Sequence, residues 1–168
     1  MLELKDIFAV YERNINSFID LCQGKTLAFD FDGTLTRFQY ALERMLPCKD
    51  EDIEKYTQEG GNIYEKIYIL ETMKYIFSKL DKENIFIVTS TVPSLRKIKN
   101  QIIVQHFGIP EERIIHTLCS AAKLEILKNL HSRTKKDILF IEDNFKILLS
   151  AEEMLSFVKG YHISSLLA

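Results

Sequence analysis

Two aspartates one residue apart, Asp30 and Asp32, end an apolar run and lead into a glycine turn. Residues 26–36 read Thr-Leu-Ala-Phe-Asp-Phe-Asp-Gly-Thr-Leu-Thr. On a strand, positions i and i+2 share a face, so both carboxylates can begin on one side. The turn at Gly33 can then re-aim the second. Carboxylates this close repel one another and are costly to desolvate; a bound cation or a shared proton relieves both costs. Asp-Gly is also a common turn dipeptide, but the apolar residues directly ahead and Phe31 between the acids favour a site over acidic punctuation.

Such a pair needs elements to hold it, and the hydrophobic pattern supplies them. Leu4, Ile7, Phe8, Tyr11, Ile15, Phe18, Ile19 and Cys22 recur at helical spacing, predicting an N-terminal helix within 1–24 that Gly24 can end. A strand follows over 26–31. Pro47, acidic residues at 50–54 and Gly60-Gly61 predict a flap or very small cap over 37–62. Ile63, Ile67, Leu70, Met73, Ile76, Phe77 and Leu80 predict one long helix over 63–80, and Tyr64, Tyr68 and Tyr75 then read as helix packing. Ile85-Phe86-Ile87-Val88 is a continuous apolar run, the mark of a strand buried on both faces. It ends in Thr89-Ser90-Thr91, and Pro93 can open the next helix, which runs to about His106. Gly108 and Pro110 break that helix before a strand over 113–117. A helix over 123–130, a strand over 138–141 ending in Glu142-Asp143-Asn144, a helix over 145–155 and a strand over 157–163 complete the chain.

Strands alternating with helices predict an α/β fold: a three-layer, Rossmann-like arrangement with a central parallel sheet, as one domain over 1–168. In such sheets the ligand sits beyond the carboxyl ends of the strands. Asp30 with Asp32, Thr89 with Ser90, and Glu142 with Asp143 are then expected on one rim.

A net charge of −2 gives no nucleic-acid footprint, which needs a basic excess or stripe. Cys22, Cys48 and Cys119 form no C-x-x-C pair, so neither a zinc site nor a disulfide framework is expected, and a reducing compartment is. Charges throughout residues 1–25 exclude an uncharged signal core, and no run of about 18 apolar residues occurs, so no membrane span is expected. The expected location is the cytoplasm. His106, His116, His131 and His162 are scattered and receive no role.

Asp-Phe-Asp-Gly-Thr-Leu-Thr at 30–36 resembles the first motif of the haloacid dehalogenase superfamily in its phosphatase form. The other three motifs follow in order: Thr89 after an apolar strand, Lys123 at the start of a later helix, and Glu142-Asp143 after a second apolar strand. The resemblance spans nearly the whole chain from Thr26. It implies an α/β domain with a minimal cap that hydrolyses phosphomonoesters through an aspartyl-phosphate. Asp30 is then the nucleophile, and Asp32 the acid that protonates the leaving alcohol and later the base that deprotonates water. Thr89 and Lys123 would hold phosphoryl oxygens, with Gly33, Thr34 and Ser90 beside the substrate. Mg²⁺ would be held by Asp30, the main-chain carbonyl of Asp32, and Asp143 or Glu142, with Asp143 favoured. Many members carry a further acid four residues on, where this chain has Ile147.

The implied partner is a phosphorylated substrate, a small molecule or a phosphoprotein, reached past a lid shaped by Arg37, Phe38, Tyr40 and Arg44. Two alternatives stay open: phosphoryl transfer to another acceptor, as in a mutase, and a binding or regulatory domain that keeps the fold without turnover.

Overall fold

Five short segments, β1 (Thr26–Phe29), β4 (Ile85–Ser90), β5 (Ile114–Thr117), β6 (Ile138–Glu142) and β7 (Val158–His162), pair in parallel in the order β5-β4-β1-β6-β7. The structure is a computed structural model that describes residues 4–38, 55–56, 58–64 and 67–167. The central strands are buried throughout β1 and β6 and nearly throughout β4, which is why they read as unbroken apolar runs rather than alternating ones.

Alternation along the strands builds two cores. Leu27, Phe29, Ile85, Ile87, Leu139 and Ile141 face one side, against α1 (Leu4–Cys22), α2 (Glu71–Lys79) and α3 (Arg96–Phe107). Ala28, Phe86, Val88, Ile138 and Phe140 face the other, against α4 (Lys123–Thr134) and α5 (Phe145–Met154). Each fully buried aliphatic or phenyl side chain contributes about 1.5–3 kcal/mol of transfer free energy, so the two faces define the register of every strand. Gly108 ends α3 in the left-handed conformation at φ 65° and donates its N–H to the Val104 carbonyl.

From β1 the chain moves outward to β4 and β5 with its helices on one face. It then crosses back past β1 to β6 and β7 with its helices on the other. Right-handed crossovers running in opposite directions force that change of face. The reversal point lies beside β1, and the crevice beyond the carboxyl ends there is where open parallel sheets hold ligands.

The expected long helix over 63–80 is corrected. Ile67–Ile69 is a strand, β3, antiparallel to β2 (Thr36–Phe38), and the helix starts only at Glu71. The spacing of Ile63, Ile67 and Leu70 suits a helix, but Ile67-Tyr68-Ile69 is strongly β-forming and Thr36–Phe38 offers it an edge. The Leu70 N–H then donates to the Leu35 carbonyl, and the Arg37 guanidinium lies over the Tyr68 ring at 5.3 Å. Tyr68 therefore packs across a hairpin, and Tyr64 sits in the turn before it. Most of the flap expected over 37–62, with Tyr40 and Arg44, lies outside the described residues. No helix among the described residues is long and apolar enough to cross a membrane.

Candidate active site

The pleat that sorts the two cores also sorts the polar residues at the strand ends. Asp30 follows Phe29 and stays in the sheet, its N–H donating to the Ile141 carbonyl at 2.9 Å. By alternation its side chain shares the α4 face with Ala28, and Glu142 shares it with Phe140. Lys123, the first residue of α4, meets both: its Nζ donates to Asp30 Oδ1 and to Glu142 Oε2, each at 2.7 Å. All three side chains are buried. Burial alone would lower the Lys123 ammonium, yet the Asp30 and Glu142 carboxylates beside it carry it above its ordinary value. Burial, and then the Asp30 charge, push the Glu142 carboxyl up to about 8, with Lys123 pulling the other way. Deleting the amine would leave two buried carboxyl groups uncompensated, a change that typically costs roughly 3–5 kcal/mol.

Thr89 has the opposite parity and faces α3, where Lys99 waits. Lys99 has no exposed surface, and its Nζ donates to Asp32 Oδ2 at 2.6 Å, Thr89 Oγ1 at 3.0 Å and the Ser90 carbonyl at 3.1 Å. The amine also lies 5.4 Å from the ring centres of Phe31 and Tyr64. Burial lowers the Lys99 ammonium in spite of Asp32 and raises the Asp32 carboxyl in spite of Lys99. The sequence reading assigned Lys99 nothing, yet the pattern carried a signal. Leu95, Lys99, Ile103 and Phe107 recur every four residues, so a lysine occupies a position of the buried stripe.

Asp143 is exposed beside this network. Asp30, Glu142 and Asp143 can each offer one carboxylate oxygen, the three within 4.8 Å of one another. His162 at the end of β7 braces the loop through a contact of 2.8 Å between its Nε2 and the Asp143 carbonyl. Glu142 Oε1 accepts from the Asn144 N–H at 3.3 Å, while the Asn144 side chain caps α5 by accepting from the Lys146 N–H. Gly33 has φ 79°, and its bare Cα lets the Asp143 carboxyl approach so closely that a methyl group there would overlap it.

A cleft of about 430 Å³ opens over these groups, lined by Asp30, Asp32, Thr89, Ser90, Lys123, Glu142 and Asp143, with Ile63, Tyr64, Thr91, Val92, Leu95, Leu118, Cys119, Ser120 and Asn144 around them. No family model matches the chain, and neither does any curated protein or solved structure. The geometry must therefore speak for itself. It brings seven of the expected site residues to one cleft. Gly33 and Thr34 stand outside its lining: Gly33 supports Asp143, and Thr34 is fully buried, its hydroxyl without a hydrogen-bond partner among the described residues. Ile147 packs against the α4–α5 core. The arrangement is chemically specific: an all-oxygen acidic group suited to a hard divalent cation, two buried amines, and a second carboxylate held apart from the first.

Proposed function

We infer that the chain is a divalent-cation-dependent phosphatase that hydrolyses a phosphomonoester through an aspartyl-phosphate on Asp30. The observation that carries this reading is the buried bridge from Lys123 to both Asp30 and Glu142, with an Asp143 carboxylate oxygen within 4.8 Å of an oxygen of each. It is supported by the order of the motifs, which is that of the haloacid dehalogenase superfamily. A purely structural role gives no reason to bury Asp30 and Glu142 at a rim beside an open cleft.

Asp30, Asp143 and Glu142, with the Asp32 main-chain carbonyl, are the groups that would hold Mg²⁺. When bound, that ion would offset the repulsion between a phosphate dianion and the Asp30 carboxylate and orient the phosphoryl group. The Asp30 carboxylate forms a bond to phosphorus as the ester P–O bond breaks, and Asp32 gives its proton to the leaving oxygen. Asp32 then takes a proton from the water that attacks phosphorus, releasing phosphate and restoring Asp30. Lys123 and the Thr89 hydroxyl neutralise charge developing on the phosphoryl oxygens.

The test is phosphate release from a broad panel of phosphomonoesters with and without Mg²⁺. Hydrolysis should require the metal, stop on chelation, and fall at least roughly 1,000-fold in Asp30→Asn, as losses of a nucleophile do. No metal-dependent hydrolysis of any ester would overturn the reading.

A further inference from the structure

Lys99 is absent from the chemistry written above, although it is the most completely buried charge beside the cleft. An ammonium has three hydrogens to donate, and Asp32 Oδ2, Thr89 Oγ1 and the Ser90 carbonyl are three acceptors within 2.6–3.1 Å. The group is therefore saturated and fixed in direction. Its aliphatic stem belongs to α3, which packs in the core with Ile103 and Phe107, so the tether is anchored to a rigid element and not to a loop.

Two consequences follow for the groups it touches. On Asp32, Oδ2 is held by Lys99 and approached by the Tyr64 hydroxyl at 3.4 Å, whereas Oδ1 is buried with no hydrogen-bond partner among the described residues. An orphaned carboxylate oxygen is expensive to keep, and it is the atom left over for a proton or a substrate. On Thr89, the hydroxyl oxygen accepts from Lys99, so its hydrogen remains to be donated into the cleft that Thr89 lines.

We propose that Lys99 is a positioning residue: it clamps Asp32 by Oδ2 so that Oδ1 alone carries the proton to and from the reacting oxygen, and it turns the Thr89 hydroxyl into a donor. This rests on the phosphatase reading, in which Asp32 is the proton carrier. In the first step the Oδ1 proton moves to the ester oxygen as that oxygen leaves phosphorus. In the second, Oδ1 recovers a proton from water as the water oxygen bonds to phosphorus and the Asp30–phosphorus bond breaks. Lys99 keeps its own bonds throughout.

A positioning role predicts dependence on the leaving group that a merely structural lysine does not. An aryl ester such as p-nitrophenyl phosphate expels a stable phenolate and needs little protonation, while an alkyl ester from the panel needs the acid. In Lys99→Met, kcat/KM for the alkyl ester should fall roughly 100-fold or more, the range of a lost general acid, and for the aryl ester only a few-fold. Adding Asp32→Asn to Lys99→Met should change the alkyl value little, since the two side chains act as one unit. Asp32 keeps 30 % of its side chain exposed at the cleft, so removing the amine does not leave it sealed in the core. If Lys99→Met nevertheless fails to fold, Lys99→Gln is read on the same two esters. Equal losses on both esters in a folded variant would overturn the clamp and leave the phosphatase reading standing. A wild type inactive on every ester would overturn both.

Discussion

At the scale of single residues the site depends on side chains that are absent as much as on those present. Gly33 is the clearest case, since two independent constraints meet there: a positive φ and the close approach of the Asp143 carboxyl. Gly33→Ala is expected to cost about 1 kcal/mol or more in backbone strain and to push Asp143 away from Asp30 and Glu142. The measurable outcome is a large rise in the Mg²⁺ concentration needed for half-maximal activity, or a lost thermal shift on adding Mg²⁺. An unchanged metal response would show that Asp143 is not a ligand. Asp30, Thr89 and Glu142 were legible in the sequence because each directly follows an apolar run, with Asp32 and Asp143 one or two residues behind; Lys123 was legible only through its place in the order of the motifs. Lys99 was not, because a lysine among Arg96 and Lys97 reads as solvated helix surface until its place in the buried stripe is noticed.

At the scale of elements, the two sides of the cleft are held by different joints. α4 reaches the rim through Lys123, and α3 through Lys99 and through Asn100, whose Oδ1 lies 2.7 Å from His116 Nε2 on β5. Burial, with the nearby Lys99 and Arg96 charges, lowers the His116 imidazole from 6.5 to about 4. The unfolded chain therefore binds more protons than the folded one between those values, so stability rises with pH across that window. The contribution is full above about pH 6.5 and is lost as pH falls through about 4. Melting curves from pH 7 to 4 should show the wild type losing stability more steeply than His116→Gln; equal slopes would mean that His116 is already solvated. Element reading succeeded wherever a fully buried strand or a long amphipathic stripe left one solution. It failed at Ile67–Ile69, where helical spacing coincides with β-forming residues and the deciding partner, Thr36–Phe38, lies some thirty residues earlier in the chain.

At the scale of the whole molecule, a parallel sheet with helices on both faces followed from the alternation of strands and helices, and the structure has both; the strand order and the face each helix covers came only with the structure. The cap was beyond such reasoning, because residues 37–62 have no sustained period. Solidity can be probed with thiols. Cys22, the last residue of α1, is buried, its thiol pushed up to about 12 mainly by burial, whereas Cys119 is exposed at the cleft. Alkylation of the native chain, followed by peptide mass spectrometry, should modify Cys119 readily and Cys22 only at the rate of global opening. Comparable rates would show that the α1 layer opens on its own.

The two lysines of the rim also set an ionic balance. With the proton that Asp32 gives to the leaving oxygen still in place, Asp30, Glu142 and Asp143, ionised as the ligands of a metal, set three negative charges against the two positive charges of Lys99 and Lys123. A divalent ion would turn that deficit of one into an excess of one positive charge, whereas a monovalent ion would only cancel it. An arriving phosphate dianion would then be drawn to the mouth, and its capture rate should fall as ionic strength rises, because screening weakens that attraction.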